Sequence, residues 1–349
     1  MTGIRLGNRE IGPGAPCFCV AEIGINHNGD VELAKKMIEA AARAGADAVK
    51  FQSYRTEDFI FDRALTYEYF SQGKPVIESE YDLFKRCELT RKALGELKSY
   101  SDSFGLLFHS TPTSKSGIED LINLGVPLLK NGSDYLTNLP LIRAMGHTGL
   151  PTVISTGMAT LAEIDDAVRT FRETGNNQLI LLHCISAYPA PPEEVHLRKI
   201  PTLSAIFGCP IGFSDHTVGV AAAIGAVVLG ACWVEKHFTL DKNLPGPDQS
   251  LSADPGELIA LVEAVRTLEK CLGSGCMSST AAEGDGRQRF RLSCVVIENL
   301  PPGHVLSEHD VAFNRPGNGL PPKAIEWIVG RRLRHEIKPG KVLALDDFE

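Results

Sequence analysis

The chain has 349 residues, 43% hydrophobic and 22% charged, an ordinary globular composition that excludes a disordered or coiled-coil protein. Its 35 Lys and Arg against 43 Asp and Glu leave a formal charge of −8. The one short basic run, RRLR at 331–334, is too small for a duplex-binding surface, so nucleic acid is not expected as a partner. The length exceeds a usual single domain of about 100–150 residues and accommodates one α/β barrel of roughly 250 plus a small second domain.

The nine Cys, at 17, 19, 87, 184, 209, 232, 271, 276 and 294, form no CxxC pair. An odd number scattered through a large chain points to free thiols in a reducing cytoplasm rather than a disulfide framework. The opening MTGIRLGNREIGPG lacks the apolar stretch of a signal peptide and suits a short hairpin, so a cytoplasmic location is expected. Residues 218–234, VGVAAAIGAVVLGACWV, carry no charge, but fall short of the about 20 residues a spanning helix needs. Their Gly and Ala content fits a helix feeding a buried strand, and no membrane span is expected.

From residue 17 to about 270, short apolar runs alternate with helical patterns. The predicted strands are 17–24, 47–52, 106–111, 128–133, 151–156, 178–184, 210–215 and 232–238. Their nearly continuous apolar character suits parallel strands covered on both faces. Helical patterns at 31–45, 117–125 and 161–175 each end on a glycine, the residue favoured just past a helix C-terminus, and 256–273 closes the series. Eight strand–helix units are the count for a (β/α)8 TIM barrel, expected over 1–272. A doubly wound sheet would more often open on a Gly-rich G-x-G-x-x-G turn, and the first turn here is EIGINHNGD. Residues 273–289, small and polar, read as a linker. The last stretch, 290–349, reads as a small β-rich domain in which PPGHVLSEHDV and KPGKVLALDDF repeat one pattern, a Pro-Gly turn, an apolar pair and an acidic stop.

Barrel active sites form at the C-terminal ends of the strands. Those ends carry Glu22, Lys50 and Gln52, then His109, Ser110 and Thr111, then Lys130 and Ser133, then Ser155 and Thr156. The series continues with His183 and Tyr188, with Ser214, Asp215 and His216, and with Glu235, Lys236 and His237. Singly, each has a plain structural role: a strand-end Lys is a solvated charge and a Ser or Thr caps the next helix. Eight coincident ends are harder to dismiss. Two lysines and three serines beside the turns at 132–134 and 156–158 suit an anion, although Lys130 could equally serve as a Schiff-base nucleophile. His216 and His237, on adjacent strands, could reach one divalent ion such as Mn²⁺, Fe²⁺ or Zn²⁺, or simply be two hydrogen-bonded histidines. Glu22 and Asp248, the latter in the loop PGPDQS, are acid–base or orienting groups in this reading.

Together, AEIGINHNGD (21–30), AVKFQ (48–52), STGM (155–158), GFSDHT (212–217), EKHFT (235–239), PGPDQSLS (245–252) and NRPGNGL (314–320) resemble the N-acetylneuraminate (sialic acid) synthase family. The likeness runs from about residue 17 to the C-terminus. It implies condensation of phosphoenolpyruvate with an N-acetylated amino sugar, N-acetylmannosamine or a related hexose, to a nine-carbon 2-keto-3-deoxy acid and phosphate. It places metal ligands on His216 and His237, with Mn²⁺ as the expected cofactor and Mg²⁺ or Co²⁺ as substitutes. It places phosphoenolpyruvate contacts on Lys50, Gln52, Lys130, Ser133, Ser155 and Ser214, and puts Glu22, Tyr188 and Asp248 near sugar and metal. The C-terminal segment resembles the antifreeze-like (SAF) domain, which in the family caps a partner's barrel in a domain-swapped homodimer, with Arg315 matching the arginine aimed at the sugar's N-acyl group.

Two departures fall where the sugar binds in the family. KNGSDY stands in place of KIGSGE or KIASGE, so Tyr135 occupies the glutamate position, preceded by Asp134. HCISAYP puts Ile185 and Ser186 where Thr and Asn or Ser are usual. A bacillosamine-derived acceptor, as in legionaminic or pseudaminic acid synthesis, is one alternative; a lysine Schiff-base aldolase and a non-catalytic carbohydrate-binding protein are the others.

Overall fold

The computed structural model describes residues 3–7 and 9–349, in two compact units, Met1–Gly273 and Ser274–Glu349. The first unit opens with an antiparallel pair, β1 (Ile4–Leu6) and β2 (Arg9–Ile11). Then come β3 (Phe18–Gly24), α1 (Val31–Arg43), β4 (Ala48–Ser53), a hairpin of β5 (Thr66–Ser71) and β6 (Lys74–Ser79), α2 (Glu80–Cys87) and α3 (Arg91–Ser103). The chain continues through β7 (Leu107–Pro112), α4 (Lys115–Leu124), β8 (Leu129–Asn131), α5 (Leu139–His147), β9 (Thr152–Ser155) and α6 (Leu161–Arg172). It finishes with β10 (Leu179–Cys184), α7 (Lys199–Phe207), β11 (Ile211–Asp215), α8 (Ala221–Val228), β12 (Trp233–His237) and α9 (Pro255–Leu272).

Eight strands form one parallel sheet in the order β7-β4-β3-β12-β11-β10-β9-β8, and its end strands β7 and β8 pack against each other, so the sheet curls into a barrel. Every predicted barrel strand is present, with bounds within one or two residues of those expected; β4 and β7 run one residue past their expected ends, to Ser53 and Pro112. The uncharged run at 218–234 divides into α8, a turn at Gly230 (φ +99°) and the start of β12. Among the described residues no helix is long and apolar enough to cross a membrane.

Alternation along the strands sorts the interior. Val20, Val153, Ile180, Leu182 and Trp233 point inward low in the barrel and pack with Ile4, Leu6 and Ile11, so the N-terminal hairpin closes the barrel floor. Asp47 clasps that hairpin to the last helix: it pairs with Arg9, accepts from the Cys19 N–H at 2.7 Å and meets Arg266 at 2.7 Å. The opposite strand faces, with Ala21, Ile23, Val49, Phe51, Phe108 and Val234, pack under the helices. Helix starts follow the side-chain chemistry, with Asp30, Thr160 and Asp254 accepting from first-turn N–H groups.

In the second unit, the stretch expected as linker holds a 3-10 turn, Ala281–Glu283, and α10 (Gly284–Phe290). Beyond it lie β13 (Ser293–Val296), β14 (Val311–Asn314) and a single helical turn, α11 (Ile325–Ile328). The repeated pattern has a structural counterpart. Gly303 and Gly340 sit at φ +77° and +83°, where a Pro-Gly turn demands a residue without Cβ. Each acidic stop caps its own turn, Asp310 accepting from Ser307 N–H and His304, Asp347 from Ala344 N–H and His335. All nine cysteines are free thiols, seven of them buried.

Candidate active site

Polar residues occupy the upper layer of the barrel interior because the same alternation that sends Ala21 and Val49 outward sends Glu22 and Lys50 inward. Glu22 and Lys50 are Cα partners across β3 and β4, and Lys50 and His109 are partners across β4 and β7. Lys50 Nζ lies 3.0 Å from Glu22 Oε2 and 3.7 Å from Glu235 Oε1. Lys130 Nζ lies 3.6 Å from the same Glu235 oxygen and donates to Ser155 Oγ at 2.6 Å and to the Asn131 carbonyl at 3.0 Å. Ser214 Oγ donates to Glu235 Oε1 at 3.0 Å. The result is an alternating chain of two carboxylates and two ammonium groups, all buried.

Their protonation follows from that arrangement. Burial pushes Glu22 up to about 7 against the pull of Lys50. Burial also raises Glu235, but Lys130 and Lys50 together bring it down to about 2. Burial lowers Lys130, and the nearby Lys50 adds to that. His109, wedged against Trp233 beneath the lysines, falls to about 3, through burial first and Lys50 second, so it is neutral.

Above this layer His216 and His237 face each other, ring centroids 5.4 Å apart, with the Tyr188 ring 4.2 Å from His216. His216 Nδ1 donates to the Ile185 carbonyl at 2.7 Å, which orients the ring. His237 Nδ1 is buried without a hydrogen-bond partner, and Asp248 Oδ2 is 3.7 Å from it. Burial first, and the charge of His216 second, hold His237 well below the usual imidazole value; burial holds Asp248 up at about 6. His216 stands above the usual value: burial opposes this, but Cys184 at 3.9 Å, the Ile185 carbonyl and Glu235 together outweigh it.

Two imidazoles, one anchored through Nδ1 and one neutral with an orphaned nitrogen, are a donor set a divalent cation accepts. Among the described residues no third His, Cys, Asp or Glu completes a ligand cluster, so further positions on such an ion would fall to small molecules.

All the residues singled out from the barrel sequence line one cavity of about 380 Å³: Glu22, Lys50, Gln52, Lys130, Ser133, Ser155, Tyr188, Ser214, His216, His237 and Asp248. Arg315 belongs to the other unit, where it donates to the Phe290 carbonyl at 3.1 Å and lies over the Phe290 ring. Other strand-end residues take plain structural roles. Lys236 points away from the cavity residues beside it in sequence, pairing with Asp215 at 2.8 Å and donating to the Thr217 carbonyl. His183 is held by the Val195 carbonyl at 2.5 Å and stacks on Phe213.

Glycines shape the cavity at two points. A Cβ on Gly24 (φ +53°) would stand 3.2 Å from Glu22 Oε1, and one on Gly157 would stand 2.3 Å from Ser186 Oγ and 2.8 Å from Ser133 Oγ. The NHNG loop is stapled to the PGPDQS loop: Asn26 Nδ2 donates to Phe238 O and Ser252 Oγ, and Gln249 Nε2 to Asn26 O. These two sequence motifs hold each other.

Glu235, a strand-end residue without a role in the sequence reading, is the counter-ion shared by both lysines. Its spacing of two from His237 puts it on the same strand face, a signal sufficient to find it. The aromatic side chains Tyr54, Phe59, Tyr67 and Phe84, from the segment between β4 and α3, also line the cavity, and no pattern in the sequence singled them out.

Comparison with known proteins places this geometry. Residues 37–277 match the NeuB family and residues 293–349 the SAF domain. The chain is 42% identical to an uncharacterized protein of Methanocaldococcus jannaschii, covering 100% of this chain and 99% of that one. It is 39% identical to the N,N'-diacetyllegionaminic acid synthase of Legionella pneumophila over 98% of each chain. The crystal structure of N-acetylneuraminic acid (sialic acid) synthetase from Leptospira borgpetersenii, 36% identical, superposes with a TM-score of 0.74 over 82% of this chain and 95% of that one. With its parallel barrel and C-terminal SAF domain, the chain belongs to the NeuB family of nonulosonic acid synthases.

Proposed function

We propose that the protein condenses phosphoenolpyruvate with an N-acetylated amino sugar, forming a nine-carbon 2-keto-3-deoxy acid and inorganic phosphate. The observation that carries this reading is the pair of buried lysines facing one cavity with three serine hydroxyls, below two imidazoles that line the same cavity. Lys50 and Lys130 neutralise the carboxylate and phosphate of phosphoenolpyruvate, and Ser133, Ser155, Ser214 and Gln52 donate to its oxygens. His216 and His237 would hold a divalent cation, Mn²⁺ by family resemblance, which when bound would supply Lewis-acid polarisation of the sugar carbonyl.

Carbon 3 of phosphoenolpyruvate attacks that carbonyl carbon, whose oxygen takes up a proton, and positive charge develops at carbon 2. Water adds to carbon 2 and gives a proton to the Glu22 carboxylate, a base matched to neutral pH because burial has raised it to about 7. The hemiketal phosphate then expels phosphate, leaving the 2-keto group. Tyr188 and Asp248 orient the sugar above the histidines, and Arg315 of a partner subunit contacts its N-acyl group in a domain-swapped homodimer.

Phosphate release from phosphoenolpyruvate, measured with Mn²⁺ and a panel of N-acetylated hexoses, tests the reading. Release that stops with EDTA and in His216→Ala is expected; no release with any sugar, or release indifferent to both treatments, overturns it. The lowered Lys130 also suits a Schiff-base aldolase. Borohydride in the presence of a carbonyl substrate is expected to leave Lys130 unlabelled, and a covalent adduct there would establish that second reading instead.

A further inference from the structure

The hairpin of β5 and β6, outside the barrel's strand–helix units, borders the mouth of the cavity. Alternation gives it two faces. Tyr67, Tyr69 and Ser71 share the inner one: Tyr67 lines the cavity, Tyr69 packs with Tyr54 and Leu83, and Ser71 is buried. Phe70 and Ile77 remain exposed.

The strands pair without a break from Thr66 with Ser79 to Ser71 with Lys74, so the turn consists of Gln72 and Gly73 alone, at φ +52° and +73°. Such a two-residue turn favours Asn or Gly at its first position, and a glutamine there sits in a costly backbone region that its surroundings must hold. Those surroundings are the loop that carries Asp248. Gln72 Nε2 donates to the Asn243 carbonyl at 3.0 Å, and the Gly246 N–H donates to Ser71 Oγ at 3.1 Å. From the barrel side, Asn28 Nδ2 donates to the Pro245 carbonyl at 2.8 Å and Ser252 Oγ to the Asp248 carbonyl at 2.6 Å. The loop is gripped from both sides, and its Asp248 carboxylate stands 3.7 Å from His237 Nδ1.

We infer that Ser71 and Gln72 are positioning residues: the hairpin tip latches the 243–248 loop and so fixes Asp248 over the cavity. This rests on the condensation reading above, in which Asp248 orients the acceptor. Neither tip residue lines the cavity, so both act on the substrate through the loop. A two-stranded hairpin is marginal by itself, and losing the two bonds frees the loop without unfolding the barrel beneath it.

The test is kcat and both KM values in the phosphate-release assay, with whichever acceptor of the panel the wild type turns over fastest. Ser71→Ala combined with Gln72→Ala is expected to raise KM for the acceptor about tenfold, with KM for phosphoenolpyruvate and the melting temperature unchanged. Ser71→Thr, which keeps the hydroxyl, is expected to stay within about twofold of the wild type. Introduced into Asp248→Ala, the same double change is expected to alter the acceptor KM by less than about twofold, because the residue it positions is gone. An unchanged acceptor KM, an equal rise in KM for phosphoenolpyruvate, or a rise that persists in full without Asp248 overturns the inference and leaves the condensation reading standing. No phosphate release by the wild type with any sugar overturns both.

Discussion

Glu22 and Lys50 are direct partners across β3 and β4, and their charged ends meet at 3.0 Å inside the barrel. The pair is lopsided: Lys50 is raised because Glu22 and Glu235 together outweigh its burial, whereas Glu22 is raised because burial outweighs Lys50. One lysine shared between two acids leaves Glu22 ready to exchange a proton near neutrality.

A pH dependence of stability follows. The folded value of Glu22, about 7, lies above its ordinary value of 4.5, so the stability tied to its proton is fully present below about pH 4.5 and lost as pH rises through 7. Relative to Glu22→Gln, the wild-type urea midpoint should fall between pH 5 and pH 8. Parallel curves for the two proteins would contradict the assignment. The variant should also lose about 10²–10⁴ in kcat as the base disappears.

Glu235 neutralises two buried ammonium groups at once, at 3.7 and 3.6 Å. Removing its charge in Glu235→Gln leaves Lys130 without an ion-pair partner and Lys50 with Glu22 alone, at a cost of about 3–5 kcal/mol in urea unfolding. Adding Lys130→Met should restore part of that stability without restoring turnover. If the double variant is less stable than the single one, the shared counter-ion account fails.

The hairpin floor predicts a purely structural effect. Ile11 is fully buried against the barrel interior, and Ile11→Ala should cost about 2–5 kcal/mol. Because it lies far down the barrel from the lysines, KM for phosphoenolpyruvate should not move. Thermal melts and kinetics on one preparation check both halves.

Arg315 is exposed, so Arg315→Ala should leave the melting temperature within error. A lost charge-assisted hydrogen bond to the acceptor should raise its KM about tenfold or more, with KM for phosphoenolpyruvate unchanged. Unchanged KM for the sugar would remove this residue from the acceptor site.

The barrel was legible along the chain because each strand is a short apolar run and each helix announces its ends with a cap or a glycine. The inward set Glu22, Lys50, Lys130, Ser155, Ser214 and His237 was legible too, since residues at strand C-termini converge wherever a parallel barrel closes. Other choices depended on which side of a strand a residue faces and on what stands opposite. Lys236 and His237 are adjacent in sequence, yet one bonds Asp215 and the other enters the cavity. Glu235 became the centre of the charge chain only when two lysines from distant strands were brought beside it.

By itself, the sequence determined the fold class, the two-part organisation and the family, because periodicity, caps and motifs are local properties of the chain. Only the tertiary structure decided how Asn26 and Gln249 lock two loops together, how Glu22 acquires a value near 7, and how the insertion at 54–88 supplies an aromatic wall. Each of these depends on desolvation or contact between residues far apart in the chain, and such terms exist only once folding has excluded water and brought them together.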